Sequence, residues 1–176
     1  MGVANLEPIR EKLMAAQNNF CRVADGISAE KWACKPGQEQ WCAAEVVAHL
    51  GMVEQAILTA AGRVSQNQPR QIPFRKRFHL PIWLVQSRLI RRKTPIPLDP
   101  ELMAPKEEMM AGLRAARERT LAFMDETRQR NMSCYYWPHP FLGMLNTYEW
   151  LQMIAAHQNR HAKQMKEIAE RLPKVV

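Results

Sequence analysis

The stretch HQNRH sets His157 and His161 four residues apart. That is the ligand spacing of HExxH zinc proteases, in which two histidines hold the metal and the glutamate between them serves as general base. Here Gln158 stands in the glutamate's place, so the ligand pair is present and the base is not. On a helix, residues four apart lie roughly 40° from one another, so both rings project from one face. Trp150, Met153, Ile154, Gln164 and Ile168 share that face. The same geometry on an earlier segment sets His49 among Val46, Met52, Val53, Ala56 and Ala60, again an inward face.

A lone inward histidine is ordinarily a core residue bonded to a backbone carbonyl. Three of them from two helices, with no obvious carboxylate or cysteine partner on those stripes, are costly to bury as separate neutral groups. A shared divalent metal removes that cost. Imidazole suits zinc, nickel, copper and iron, and three neutral histidines leave coordination positions open for water or substrate. A di-iron carboxylate site is excluded, because it needs a glutamate three residues before an inward histidine and Glu45 lies four before His49. No general base is identifiable.

These rings need helices to hold them. Leu6, Ile9, Leu13, Ala16, Phe20 and Val23 recur at threes and fours, which predicts a first helix over about residues 5–23. Gly26, Pro36 and Gly37 break it, and a second helix is predicted over about 43–61, with Cys42 and Glu45 as a degraded capping box. Pro105 followed by Lys-Glu-Glu opens a third helix with Met109, Leu113, Ala116, Thr120, Leu121 and Met124 inside. Asn146 and Glu149 form the start signal of a fourth, which runs through Arg171 to Pro173. No alternating strand run competes. The expected fold is all-α: a four-helix bundle in up-down-down-up order, whose long crossover between helices two and three leaves those two parallel. Residues 1–176 read as one such domain.

The net charge of +8 is local. No acidic residue lies between Glu54 and Asp99, while Arg63, Arg70, Arg75, Lys76, Arg77, Arg88, Arg91, Arg92 and Lys93 all fall there. The other basic residues nearly balance the 17 acidic ones, so the basicity belongs to the crossover and is no general nucleic-acid signature. Its apolar centre, Leu80 to Ile90, is too short and interrupted to span a bilayer, and Phe78, Ile82, Trp83 and Leu89 are expected to pack on the bundle or a second subunit. Cys21, Cys34, Cys42 and Cys134 form no CxxC and read as reduced thiols, which with no signal-peptide pattern at the amino end implies a cytoplasmic protein. His79 and His139 read as loop residues, and Trp32, Trp137 and Trp150 as packing. Arg117 lies on the inner side of helix three and is expected to snorkel to solvent.

WCAAEVVAHL, followed over a hundred residues later by YEWLQMIAAHQNRHAKQM, resembles the DinB/YfiT-like superfamily of metalloenzymes. The resemblance covers nearly the whole chain and includes Trp41 before helix two and the Arg160-His161 step. It implies the up-down-down-up bundle, a divalent metal such as nickel, zinc or iron on His49, His157 and His161, and a homodimer. Members with known chemistry include thiol S-transferases that use bacillithiol or mycothiol and a mycothiol-dependent isomerase. It does not imply DNA binding. The long basic crossover and the Cys42 cap depart from the pattern and leave the substrate class open.

Two functions follow as expectations. The first is a metal-dependent enzyme acting on a small molecule, by thiol transfer or hydrolysis, with a low-molecular-weight thiol as the cofactor class in the former case. The second is a non-enzymatic binding protein whose basic crossover meets an acidic partner, nucleic acid or an anionic membrane. A solvated, positively charged insert that covers one end of the bundle or supports a dimer outweighs the second.

Overall fold

A computed structural model describes residues 5–70, 78–87 and 103–172. Four helices dominate it: α1 (Glu7–Asp25), α2 (Ala43–Val64), α3 (Lys106–Glu126) and α4 (Thr147–Arg171). Their starts follow from local chemistry. Pro8 lies in the first turn of α1, where its missing N–H costs nothing. The Cys42 N–H donates to Glu45 Oε2 at 2.7 Å, so the carboxylate half of the cap before α2 works even with cysteine in place of serine. Ahead of α4, Asn146 Oδ1 accepts from the Glu149 N–H at 3.1 Å and the Asn146 N–H donates to Glu149 Oε2 at 2.8 Å, a complete capping box.

The apolar stripes meet in two clusters. One joins Phe20, Leu50, Leu113 and Met165, which come from the late part of α1, the early parts of α2 and α3, and the late part of α4. The other joins Leu13, Ile57, Met124 and Ile154, from the opposite part of each helix. α1 packs chiefly on α4 and α2 chiefly on α3, so the core is two helix pairs closed face to face. Each fully buried leucine or phenylalanine here contributes about 1.5–3 kcal/mol.

Two short strands, β1 (Tyr136–His139) and β2 (Gly143–Asn146), form an antiparallel hairpin that leads into α4. This corrects the expectation of no strand: four residues interrupted by Pro138 give alternation too little length to register. Gly143, at φ +100°, makes the turn in a conformation that a side chain would strain.

Of the crossover, residues 78–87 lie as a strap along the hairpin and α4. The Leu80 N–H donates to the Leu142 carbonyl at 3.0 Å, Lys163 Nζ donates to the Gln86 carbonyl at 3.0 Å, and the Arg160 guanidinium donates to the Ser87 carbonyl. Ile82 and Val85 pack against the second cluster. Phe78 and Trp83 do not follow them: they stay 77% and 66% exposed on this chain, so of the two covers expected, the bundle or a second subunit, the bundle does not supply theirs. A short 3₁₀ turn, Ile82–Gln86, repeats every three residues, so Ile82 and Val85 share the face toward the core while Trp83 and Leu84 fall on the other sides. Leu89 and the basic residues Arg75, Lys76, Arg77, Arg88, Arg91, Arg92 and Lys93 lie outside the described residues. Among the described residues, no helix is long and apolar enough to cross a membrane.

Candidate metal centre

The three inward histidines converge. His49, in the second turn of α2, puts Nε2 3.2 Å from His157 Nε2, and His161 Nε2 lies 3.1 Å from the same atom. One ligand nitrogen from each ring lies within 4.8 Å of the other two, and among the described residues this is the cluster of metal-ligating side chains that forms. His49 and His161 are buried and His157 is half-buried. Trp41, just ahead of the α2 cap, walls one side: its ring meets His49 edge-on at 5.1 Å and stacks on His161 at 6.3 Å.

The rings satisfy one another poorly. His157 Nε2 faces two neighbours with a single proton or a single lone pair to share between them. His49 Nδ1 is buried with no hydrogen-bond partner. A cation takes all three Nε2 lone pairs at once, and metal–nitrogen bonds of about 2.0–2.1 Å set adjacent ligand nitrogens about 3.0–3.4 Å apart. The observed 3.1 and 3.2 Å fall in that range.

Protonation favours the same use. Burial pushes the His49 imidazole down to about 4. Burial, then the neighbouring His161, His49, Arg160 and His139, hold His157 well below the ordinary histidine range. Both rings are therefore neutral at pH 7, the form a metal needs. The Gln164 amide oxygen lies 2.9 Å from His161 Nδ1 and orients that ring.

Gln158 does something other than a base's work. Its amide oxygen accepts from Arg117 at 2.8 Å in the core. Arg117, 1% exposed, also makes a paired bond to Glu54, with Nε to Oε1 at 2.9 Å and a terminal nitrogen to Oε2 at 3.1 Å, and it donates to the Leu13 carbonyl. Thr120 Oγ1 completes the group 2.5 Å from Glu54 Oε1. Arg117 thus does not snorkel, and the inner stripe of α2 does carry a carboxylate. The sequence signal was present: Glu54 follows Leu50 by four residues and so shares its inward face.

The other two histidines stay outside the cluster. His79 bridges the strap to α4 through Glu149 Oε1 at 2.9 Å and to the Leu80 carbonyl at 2.9 Å. His139 Nδ1 accepts the backbone N–H groups of Phe141 and Leu142, each at 3.1 Å, while its ring tilts on Trp150 at 5.1 Å. Trp150 in turn stacks on Trp137 at 5.0 Å, so these aromatics pack as expected. All four cysteines are free thiols and none joins the histidines.

Comparison with known proteins identifies the family. The chain is 28% identical over 148 residues to the Uncharacterized protein YuaE of Bacillus subtilis (strain 168), an overlap covering 84% of this chain and 88% of that protein. The sequence pattern of the DinB superfamily matches residues 12–165, a span that holds His49, His157, His161 and most of all four helices; the chain belongs to the DinB superfamily.

Proposed function

We propose that His49, His157 and His161 hold one divalent metal, nickel, zinc or iron, and that the protein is a metal-dependent enzyme acting on a small molecule. The observation that carries this reading is the convergence of three Nε2 atoms, two of the separations being 3.1 and 3.2 Å, with the buried His49 Nδ1 left without a partner. A divalent metal there supplies Lewis acidity, which makes a thiol or water nucleophilic near neutral pH. The protein's own residues do the rest: burial keeps His49 and His157 neutral, Gln164 orients His161, and Trp41 excludes water from one flank. Transfer of a low-molecular-weight thiol and hydrolysis are the two reaction classes this fits. Gln158 takes no part as a base, since its amide is engaged by Arg117.

The same reading takes residues 1–176 as one cytoplasmic domain, an up-down-down-up four-helix bundle. Its support is that early α2 and early α3 share one core cluster while late α2 and late α3 share the other, as parallel neighbours do. Exposed Leu80 and Trp83 offer apolar area for a homodimer.

Elemental analysis of protein purified without added metal, repeated on His49→Ala, His157→Ala and His161→Ala variants that keep wild-type helicity, tests the site. About one metal per chain in the wild type, lost in each variant, is expected; equal stoichiometry and affinity in folded variants would falsify it. A second reading has one observation in its favour. Leu80 and Trp83, 53% and 66% exposed, lie between two basic runs of the chain, which suits an anionic partner, whether membrane, nucleic acid or acidic protein. Salt-sensitive binding to anionic vesicles or DNA by a protein that takes up no metal would favour it.

A further inference from the structure

The three-histidine site straddles the seam between the two helix pairs. His49 stands on α2, which packs with α3, whereas His157 and His161 stand on α4, which packs with α1. The 3.2 Å separation of His49 and His157 is therefore set by how one pair sits on the other, not by the geometry of either helix. Metal binding is sensitive to that placement, because ligand distances must hold to within about 0.2 Å.

Arg117 bridges the same seam. It rises from α3 and grips Glu54 of α2 within its own pair, then crosses to Gln158 of α4 and the Leu13 carbonyl of α1. One side chain thus touches all four helices. Its crossing point on α4 is the residue next to His157, and its anchor on α2 is five residues beyond His49, about 7.5 Å along the axis. Both helices that carry ligands are held by the one guanidinium. Its planar fork fixes direction as well as distance, which a lysine ammonium on a flexible stem does not.

We infer that Arg117, acting through Gln158 and Glu54, is a positioning residue for the three-histidine site, locking the two helix pairs at the spacing a metal needs. The inference rests on the metal reading proposed above. It also explains Gln158: the position between the ligands is used to anchor the helix from behind, where a neutral amide oxygen accepts one of the three guanidinium donors that Glu54 leaves.

Three variants test it. Arg117→Lys keeps a charge for Glu54 and loses the fork; Gln158→Leu removes only the acceptor on α4; Arg117→Met with Glu54→Met removes both charges together. Each is titrated with Co²⁺ and Zn²⁺ against a competing chelator, the visible absorption of the Co²⁺-saturated protein is recorded, and the thermal midpoint of the metal-free protein is measured. The expected result is a dissociation constant raised about 10–100-fold with an altered Co²⁺ spectrum, in variants that keep their helical signal. Wild-type affinity and spectrum in the folded variants, whatever their thermal midpoints, overturn the inference and leave the metal reading standing. A wild type that binds neither ion overturns the metal reading and this inference with it. Should the double variant fail to fold, the two single substitutions decide the matter.

Discussion

His161 Nδ1 lies 2.9 Å from the amide oxygen of Gln164, one turn further along α4. A carbonyl oxygen only accepts, so the ring proton sits on Nδ1 and Nε2 presents its lone pair toward His157. Gln164→Leu removes that orientation without touching the three rings. Metal affinity, measured by chelator competition, is expected to fall about 10–100-fold with the helical signal unchanged.

The metal-free protein should lose stability as the solution is acidified. His49 is held at about 4 by burial, whereas an unfolded histidine titrates near 6.5, so between those values the unfolded chain binds the extra proton. The contribution is full above about pH 6.5 and is lost as pH falls toward 4, on the order of 3 kcal/mol for this one ring. His157, shifted the same way, adds to the slope. Urea midpoints of chelated protein from pH 7.5 to 4 would show it, and His49→Gln should flatten the curve.

Glu54→Leu alone strands the Arg117 cation in the core with only Gln158 and the Leu13 carbonyl to receive it. A cost of about 3–5 kcal/mol is expected. Adding Arg117→Met should recover most of that loss, because removing both charges of a buried pair is often neutral. Chemical denaturation of the two single variants and the double forms the cycle; equal losses for Glu54→Leu and the double variant would contradict a stranded charge.

Glu149 serves two masters, receiving the Asn146 N–H in the cap and His79 of the strap. Glu149→Ala is expected to cost about 1 kcal/mol through the cap and to loosen residues 78–87, read as faster proteolysis there. Burial disfavours the His79 cation, yet the Leu80 carbonyl and the Glu149 carboxylate outweigh it and its pKa is raised. The bridge therefore stabilises fully below the unfolded value near 6.5 and is lost as pH rises through the raised folded value. Strap protection that grows with pH across that range would contradict this.

The helices were legible because each carries a sustained 3.6-residue stripe and a local start signal; Asn146 and Glu149 were readable as a cap before α4 and act as one. The histidine cluster was legible for the same reason, since spacing alone puts two rings on one face and the third on another helix. Arg117 was not. Periodicity placed it inward, but a long cationic side chain is buried only when partners meet it, and Glu54, Gln158 and Leu13 come from three other helices. The hairpin was missed for want of length. The strap was half legible: its apolar residues were visible, but which of them face α4 depends on a turn that composition does not specify.

His49 and His157 stand 108 residues apart in the chain, and the helix that carries the second pairs chiefly with α1, the earliest to be made. During synthesis at about 5–20 residues per second, roughly 5–20 seconds separate the first of these rings from the second. Through that interval α1 has no α4 to cover its apolar stripe and His49 has no neighbouring imidazole. On the metal reading, the three-ring pocket exists only once α4 has been made, so an ion would meet a finished site rather than a growing one.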